Sequence, residues 1–185
     1  IGQGAWGQQM LQQVEQSGLP RVLDADALNL MAGRVPVVSD SHILTPHPGE
    51  AARLLGCDVA DVEADRVSAA RRLQTMLGGV VLLKGAGTVI ASGSALPVIV
   101  PGGNPGLATG GMGDVLSGIA VALLAQLKAP QQATTMAAAL HLAAADQAVQ
   151  TYGYMGLTPT DVISALPKVL WEAEKVNIRN DQEAL

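Results

Sequence analysis

The sequence predicts an α/β fold, a layered arrangement with a mostly parallel central sheet flanked by helices. Three observations carry this expectation. Short apolar runs of strand length alternate with longer stretches of helical periodicity. The run Val80-Val-Leu-Leu83 is apolar at every position, as a central strand buried on both faces must be. Segments rich in glycine and charge follow the strands, where the carboxyl ends of a parallel sheet collect ligands.

The elements follow in order. Trp6–Ser17 is Gln-rich with Met10, Leu11 and Val14 apolar, a surface helix ended by Gly18. Arg21-Val-Leu-Asp24 reads as a short strand and Ala25–Ala32 as a short helix. Ile43-Leu-Thr45 is a second strand, stopped by Pro46 and Pro48, and Pro48 suits the first turn of a helix over Glu50–Leu55. Val67, Ala70, Leu73, Met76 and Leu77 form a helical stripe within Asp65–Leu77. After the Val80 strand, Thr88–Ala91 and Leu96–Val100 suggest a hairpin. Two long helices are expected at Met112–Leu127 and Gln131–Tyr152, the second apolar nearly all round and so buried. Val162–Leu166 and a last helix to about Val176 close the fold, and the polar tail 177–185 is expected to fray into disorder. The loops after Leu23, Leu44, Leu83 and Val100 should share one rim.

Composition narrows the function. A chain of 185 residues, 49% hydrophobic, can bury the core of one domain. Its mean hydropathy is +0.30. A net charge of −5 argues against nucleic acid and anionic membrane as main partners. Aromatic residues are 2% and Phe is absent, which disfavours base stacking on aromatic platforms. The single Cys57 rules out an internal disulfide and a multi-cysteine zinc site. The apolar stretch Gly118–Leu127 is about half of the roughly 20 residues a membrane span needs. With no visible signal peptide, a soluble cytoplasmic protein is expected. The chain opens Ile1-Gly-Gln-Gly without Met, which suggests a fragment.

Four segments carry chemistry. Asn104-Pro-Gly-Leu-Ala-Thr-Gly-Gly-Met-Gly-Asp114 packs glycine ahead of a helix. The nest Gly110, Gly111, Met112 and Gly113 can present backbone N–H groups to a transferring phosphoryl group, and Asp114 can deprotonate a hydroxyl. The alternative is a glycine turn capped by an acid. No Lys-Ser/Thr follows it, so it is not a Walker loop, and it comes too late for a dinucleotide fingerprint. Lys84-Gly85-Ala86-Gly87-Thr88 can hold a nucleotide through the ammonium and close backbone contact, or it is a hairpin turn with a surface lysine. In Thr45-Pro-His-Pro-Gly-Glu50, His47 can hold substrate or phosphate and Glu50 can hold a Mg²⁺ water or sit in a helix first turn. Asp24 ends a strand where a carboxylate would face the site, while Asp26 reads as a helix N-cap. His42 and His141 read as structural. Each segment is weak alone; four on strand ends form a coherent phosphoryl-transfer site.

With these residues assembled, the chain resembles the ADP-dependent NAD(P)H-hydrate dehydratases of the ribokinase-like superfamily, which in many bacteria form the C-terminal domain of a bifunctional repair enzyme. The matching stretches are LDADALN (Leu23–Asn29), TPHPGEAARLLG (Thr45–Gly56), LKGAGTVI (Leu83–Ile90), GNPGLATGGMGDVLSG (Gly103–Gly118) and GLTPTDV (Gly156–Val162). The resemblance implies a single ribokinase-like domain whose first strands lie upstream, with Ile1-Gly2 as the end of a G-P-G-[LI]-G loop and, as in many bacterial members, an epimerase domain fused before it. It implies phosphorylation of the ring hydroxyl of hydrated NADH or NADPH by ADP, then elimination of phosphate, leaving AMP. By position it makes Asp114 the base and a substrate contact. Gly2, His47, Asp24 and Asn104 would contact substrate, and Lys84 to Thr88 with Gly113 would bind ADP. Mg²⁺ is the expected cofactor, with Glu50 the candidate ligand, although His47 stands where related kinases have Asn. A homo-oligomer is expected. The competing readings are a small-alcohol kinase of the hydroxyethylthiazole or pyridoxine type, which would stop at the phosphate ester, and a nucleotide-binding module without turnover.

Overall fold

The computed structural model describes residues 1–34, 38–93 and 95–183, with only the backbone for 176–183. Strands β1 (Arg21–Leu23), β2 (His42–Leu44), β3 (Val80–Leu83), β4 (Thr88–Ser92) and β5 (Val98–Val100) form one sheet in sequence order. The pairs β1·β2 and β2·β3 are parallel, with Leu23 opposite Leu44 and Leu44 opposite Val81. Strand β4 returns antiparallel to β3, and β5 antiparallel to β4. Strand β5 therefore runs with β1, β2 and β3, and their carboxyl ends open on one edge. That is the shared rim expected for the loops after Leu23, Leu44, Leu83 and Val100.

Strand β3 shows why the sheet is a central layer. Val81 and Leu83 pack with Leu73 and Leu77 into one core, while Val80 and Leu82 pack with Leu116, Ala120 and Leu124 into another. All four strand residues are buried, so alternation sends apolar side chains to both faces. Full burial of each such side chain stabilises by roughly 1.5–3 kcal/mol. The first face is covered by α2 (Asp26–Met31), α3 (Pro48–Leu55), α4 (Val59–Ala64) and α5 (Arg66–Leu77). The other is covered by α6 (Met112–Leu127) and α7 (Pro130–Gly156). The first helix, α1 (Ala5–Gln16), adds Leu11 to the first core. A third cluster joins the start of α6 to α7 and α8 (Pro159–Glu183).

Three differences from the sequence expectation have physical causes. Helix α4 was not anticipated; Asp58 and Asp61 form its capping box and start it after Gly56. Helix α7 is buried along one face only, through Ala133, Ala137, His141, Ala144 and Ala148, with Met136 on the other face 45% exposed. Small residues let it lie close to α6, and its regular part ends at Gly153, where φ is +66°. Helix α8 passes through Pro167, and its backbone stays helical past Asn177 to Glu183, where polar composition predicts fraying. The proline leaves the Ile163 carbonyl without its partner, on a residue 52% exposed that water can reach. Residues 184–185 of that tail lie outside the described residues. No described helix is long and apolar enough to cross a membrane.

Candidate functional site

Each strand end sets one part of the site. Asp24 follows β1, and its Oδ1 accepts a hydrogen bond from the Lys84 ammonium at 2.8 Å. Its Oδ2 accepts from Ser117 Oγ of α6 at 3.0 Å. The next residue, Ala25, is held at φ 49°, ψ −115°, a conformation that L side chains rarely adopt. It separates two acids with different work. Asp26 does not cap α2; it accepts from the Gly2 N–H at 2.9 Å and Gln3 Nε2 at 3.1 Å. These bonds hold its carboxyl below the usual range. Gly2 is thus brought to the β1 loop through Asp26.

After β2, His47 is the N-cap of α3 and Pro48 its first residue. His47 Nδ1 accepts from the Gly49 N–H at 3.0 Å, so the proton of the neutral ring sits on Nε2. That nitrogen is 3.5 Å from Glu50 Oε1. Glu50 is buried, and its Oε2 accepts from the His47 N–H at 2.8 Å and lies 3.7 Å from Lys84 Nζ. Glu50 thus holds the β2–α3 turn and shares Lys84 with Asp24. No group of three or more His, Cys, Asp or Glu able to hold a metal occurs among the described residues.

After β3, the Lys84 N–H donates to the Pro46 carbonyl at 2.8 Å and fixes the two loops together. Arg66, which the sequence reading passed over, donates from Nη2 to the carbonyls of Leu83 and Lys84 at 3.3 and 3.2 Å. Its guanidinium fills the space where a Cβ on Gly85 would lie, and φ there is +148°, so glycine is required. The Thr88 hydroxyl donates back to the Gly85 carbonyl at 3.0 Å, and the Gly87 N–H to Gly102 at 2.7 Å. After β5, Asn104 is buried, accepts from Gly106 N–H at 2.9 Å and donates to Asp146 at 2.8 Å. Its amide is already spent on holding the Pro105–Ala108 turn and α7, so its first role is positional.

The glycine loop completes the rim. Gly110 is exposed, and Gly111 is the N-cap of α6 at φ 89°, with no side chain capping the helix. First-turn N–H groups, those of Gly113 and Asp114 among them, have no intrahelical acceptor. They add to the partial positive charge of the helix start. A Cβ on Gly113 would meet Asp24 Oδ2 at 3.4 Å and Lys84 Nζ at 3.5 Å, so the helix start abuts the charged pair. Asp114 is exposed and supplies no cap. Among the described residues its carboxylate caps no N–H of α6, and its one structural contribution is a negative charge in the positive first turn.

These parts enclose a cavity of about 770 Å³. Lys84, Gly85 and Gly113 line its polar end; Val100, Leu107, Met112 and Leu116 line an apolar wall. His47, Ala86, Thr88 and Asn104 also face it, and so does His141 of α7. Asp114, exposed, follows the lining residues Met112 and Gly113 in the first turn of α6. A shallower depression of similar volume over α5, about 780 Å³, is lined by none of the candidate site residues.

A family model described as NAD(P)H-hydrate dehydratase matches residues 1–168. The chain belongs to the NAD(P)H-hydrate dehydratase family. It is 48% identical over 170 residues to the bifunctional NAD(P)H-hydrate repair enzyme of Escherichia coli, covering 92% of this chain and 33% of that protein. The chain thus spans about a third of the length of the curated relatives it matches. Among solved structures it is similar to the ADP/ATP-dependent NAD(P)H-hydrate dehydratase of Bacillus subtilis co-crystallized with ATP/Mg²⁺. The TM-score is 0.82 at 32% identity, covering 93% of this chain and 61% of that one. A ribokinase-like superfamily protein of Enterococcus faecalis aligns with TM-score 0.81 at 30% identity, over 93% of this chain and 60% of that one. The dehydratase family thus sits on a ribokinase-like α/β fold, as the strand-end motifs lead one to expect.

Proposed function

We propose that the chain repairs hydrated nicotinamide nucleotides, using ADP to phosphorylate the ring hydroxyl of (S)-NADHX or (S)-NADPHX. The observation that carries this reading is Asp114, an exposed acid that caps nothing, beside the open N–H groups of α6. In the first step the substrate hydroxyl attacks the β-phosphorus of ADP and its proton passes to Asp114. The bond to the α-phosphate oxygen breaks and AMP leaves. Lys84 and the N–H groups at Gly113 stabilise the negative charge on the transferring group. Hydroxide leaves a carbon poorly, whereas phosphate leaves well. The carbon–oxygen bond then breaks, a proton leaves the neighbouring ring carbon, and NADH or NADPH is restored.

Other residues bind and orient. The Lys84–Thr88 loop takes the phosphates of ADP, and the apolar cavity wall takes its nucleoside. His47 offers its half-exposed ring to the substrate, and Gly2, held by Asp26 beside β1, is a second contact. Mg²⁺ would neutralise phosphate charge. Glu50 already serves the His47 N–H and Lys84, so a metal here would rest mainly on nucleotide oxygens and water, with Asp24 and Glu50 close by. The reading places the chain as one domain of a cytoplasmic repair enzyme, which the bifunctional E. coli relative supports. Exposed Leu170 and Trp171 on α8, with Tyr154 and Met155 before it, support a homo-oligomer.

The test uses full-length protein with chemically hydrated NADH, ADP and Mg²⁺, following the absorbance of the reduced ring. Recovery of NADH with release of AMP is expected. No recovery with either ADP or ATP would sink the dehydratase reading.

A further inference from the structure

His141 has no part in the chemistry above, yet it sits on the wall of the cavity, one turn from Ala138 and beside Leu142. It is 7% exposed, and its Nε2 is buried without a hydrogen-bond partner among the described residues. An unpaired buried nitrogen is destabilising, and an apolar residue would fill an alanine-rich helix face without that penalty. The ring itself lines the cavity, so a turn of the imidazole about χ2 brings this nitrogen to whatever enters.

The surroundings say what enters. Lys84 and Gly113 mark the phosphate end, while Met112, Leu116 and Val100 form the apolar part. Burial pushes the His141 imidazole down to about 4, and the charge of Lys84 adds to this while the Met112 backbone opposes it. The ring is therefore neutral near pH 7. A neutral imidazole is a poor phosphate ligand but pairs well with an uncharged donor or acceptor.

We propose that His141 recognises the nucleoside half of the nucleotide, its imidazole hydrogen-bonding a base edge or a ribose hydroxyl in the cavity between α6, α7 and the Lys84–Thr88 loop. This rests on the nucleotide-dependent reading of the site. It makes His141 a specificity-determining residue, separate from the phosphate contacts.

The experiment is calorimetric titration of the full-length protein with ADP, 2′-deoxy-ADP and inorganic pyrophosphate, for wild type, His141→Leu and His141→Gln. The Leu variant should bind ADP roughly three- to tenfold more weakly, the worth of one neutral hydrogen bond. Pyrophosphate affinity should not change, and Gln should recover much of the loss. If the partner is the 2′-hydroxyl, the wild type's preference for ADP over its deoxy form disappears in the Leu variant; if it is the base, the preference stays. In the wild type, the nitrogen NMR resonance of His141 should move with ADP and not with pyrophosphate, a readout that survives any folding defect of the variants. Unchanged ADP affinity in the Leu variant, equal loss of ADP and pyrophosphate binding, or a resonance indifferent to ADP would overturn the proposal. A wild type that binds ADP but restores no NADH would overturn the dehydratase reading and leave His141 standing.

Discussion

At the ends of β1, β2 and β3 the charged groups are bound to one another: Asp24 to Lys84 and Ser117, Glu50 to the His47 N–H and Lys84. At the start of α6, which abuts that charged pair through Gly113, Asp114 is exposed and no side chain among the described residues caps the helix. The first region spends its polar groups on holding three loops together. The second leaves them open to a ligand. A satisfied network rigidifies a scaffold, whereas reacting groups must stay free until substrate arrives. The contrast gives the strand ends a positioning role, with Lys84 also reaching the cavity, and leaves Asp114 as the free group of the proposed reaction.

The largest expected effect tests the open side. Asp114→Asn keeps the shape and removes the proposed base, so turnover should fall by roughly two to four orders of magnitude. ADP affinity and melting temperature should stay near wild type, because Asp114 caps nothing. A variant that stays active, or one that melts well below wild type, breaks the division of labour.

The histidines extend the comparison to pH. His47, on the bound side, accepts a hydrogen bond at Nδ1; His141, on the open side, is buried with Nε2 unpaired. Burial depresses the His141 pKa to about 4, below its ordinary value of 6.5. The stability linked to it is fully present above about pH 6.5 and is lost as pH falls toward 4, since the unfolded chain binds the proton first. That loss is at most about 3 kcal/mol by linkage. Buried His42 is shifted the same way by burial and by Arg21. Urea midpoints measured from pH 7 to pH 4 should therefore fall, and fall less in His141→Gln.

Removing Lys84 tests the bound side. Lys84→Ala leaves Asp24 and Glu50 without their shared cation and the cavity without its ammonium. ADP affinity should drop roughly ten- to hundredfold, the worth of a charged hydrogen bond, and the melting temperature should drop with it. Calorimetry and thermal unfolding read the two effects separately. A loss of affinity with no loss of stability would mean the ion pairs hold nothing together.

How much of this was legible in the sequence follows from the range of each interaction. Val80–Leu83 betrays a central strand because four adjacent apolar residues need no distant information. The strand-end motifs could be placed on one rim because parallel topology puts them there. Asp24 and Lys84 are 60 residues apart and Asp24 and Ser117 are 93 apart, so no local pattern pairs them. Asn104 and Asp26 were assigned by position in a motif, but their hydrogen bonds run to α7 and to the chain start. His141 looked structural in an alanine-rich helix, since only the packing of α7 against α6 puts it on the cavity. Helix α4 could have been found, because Asp58 and Asp61 have the spacing of a capping box.

The smallest effect sits where the two regions touch. Ser117 belongs to α6, and its hydroxyl donates to Asp24 at 3.0 Å, tying the open helix start to the bound strand ends. Ser117→Ala removes that tie but leaves Asp24 its 2.8 Å contact with Lys84. The carboxylate stays paired, so the stability loss should be about 1.5 kcal/mol, the low end of the range for a hydrogen bond to a charged group. If the strand ends only position, turnover at saturating ADP should change by no more than a few fold. A loss of turnover as large as that of Asp114→Asn, at unchanged stability, would move Asp24 from the scaffold into the chemistry.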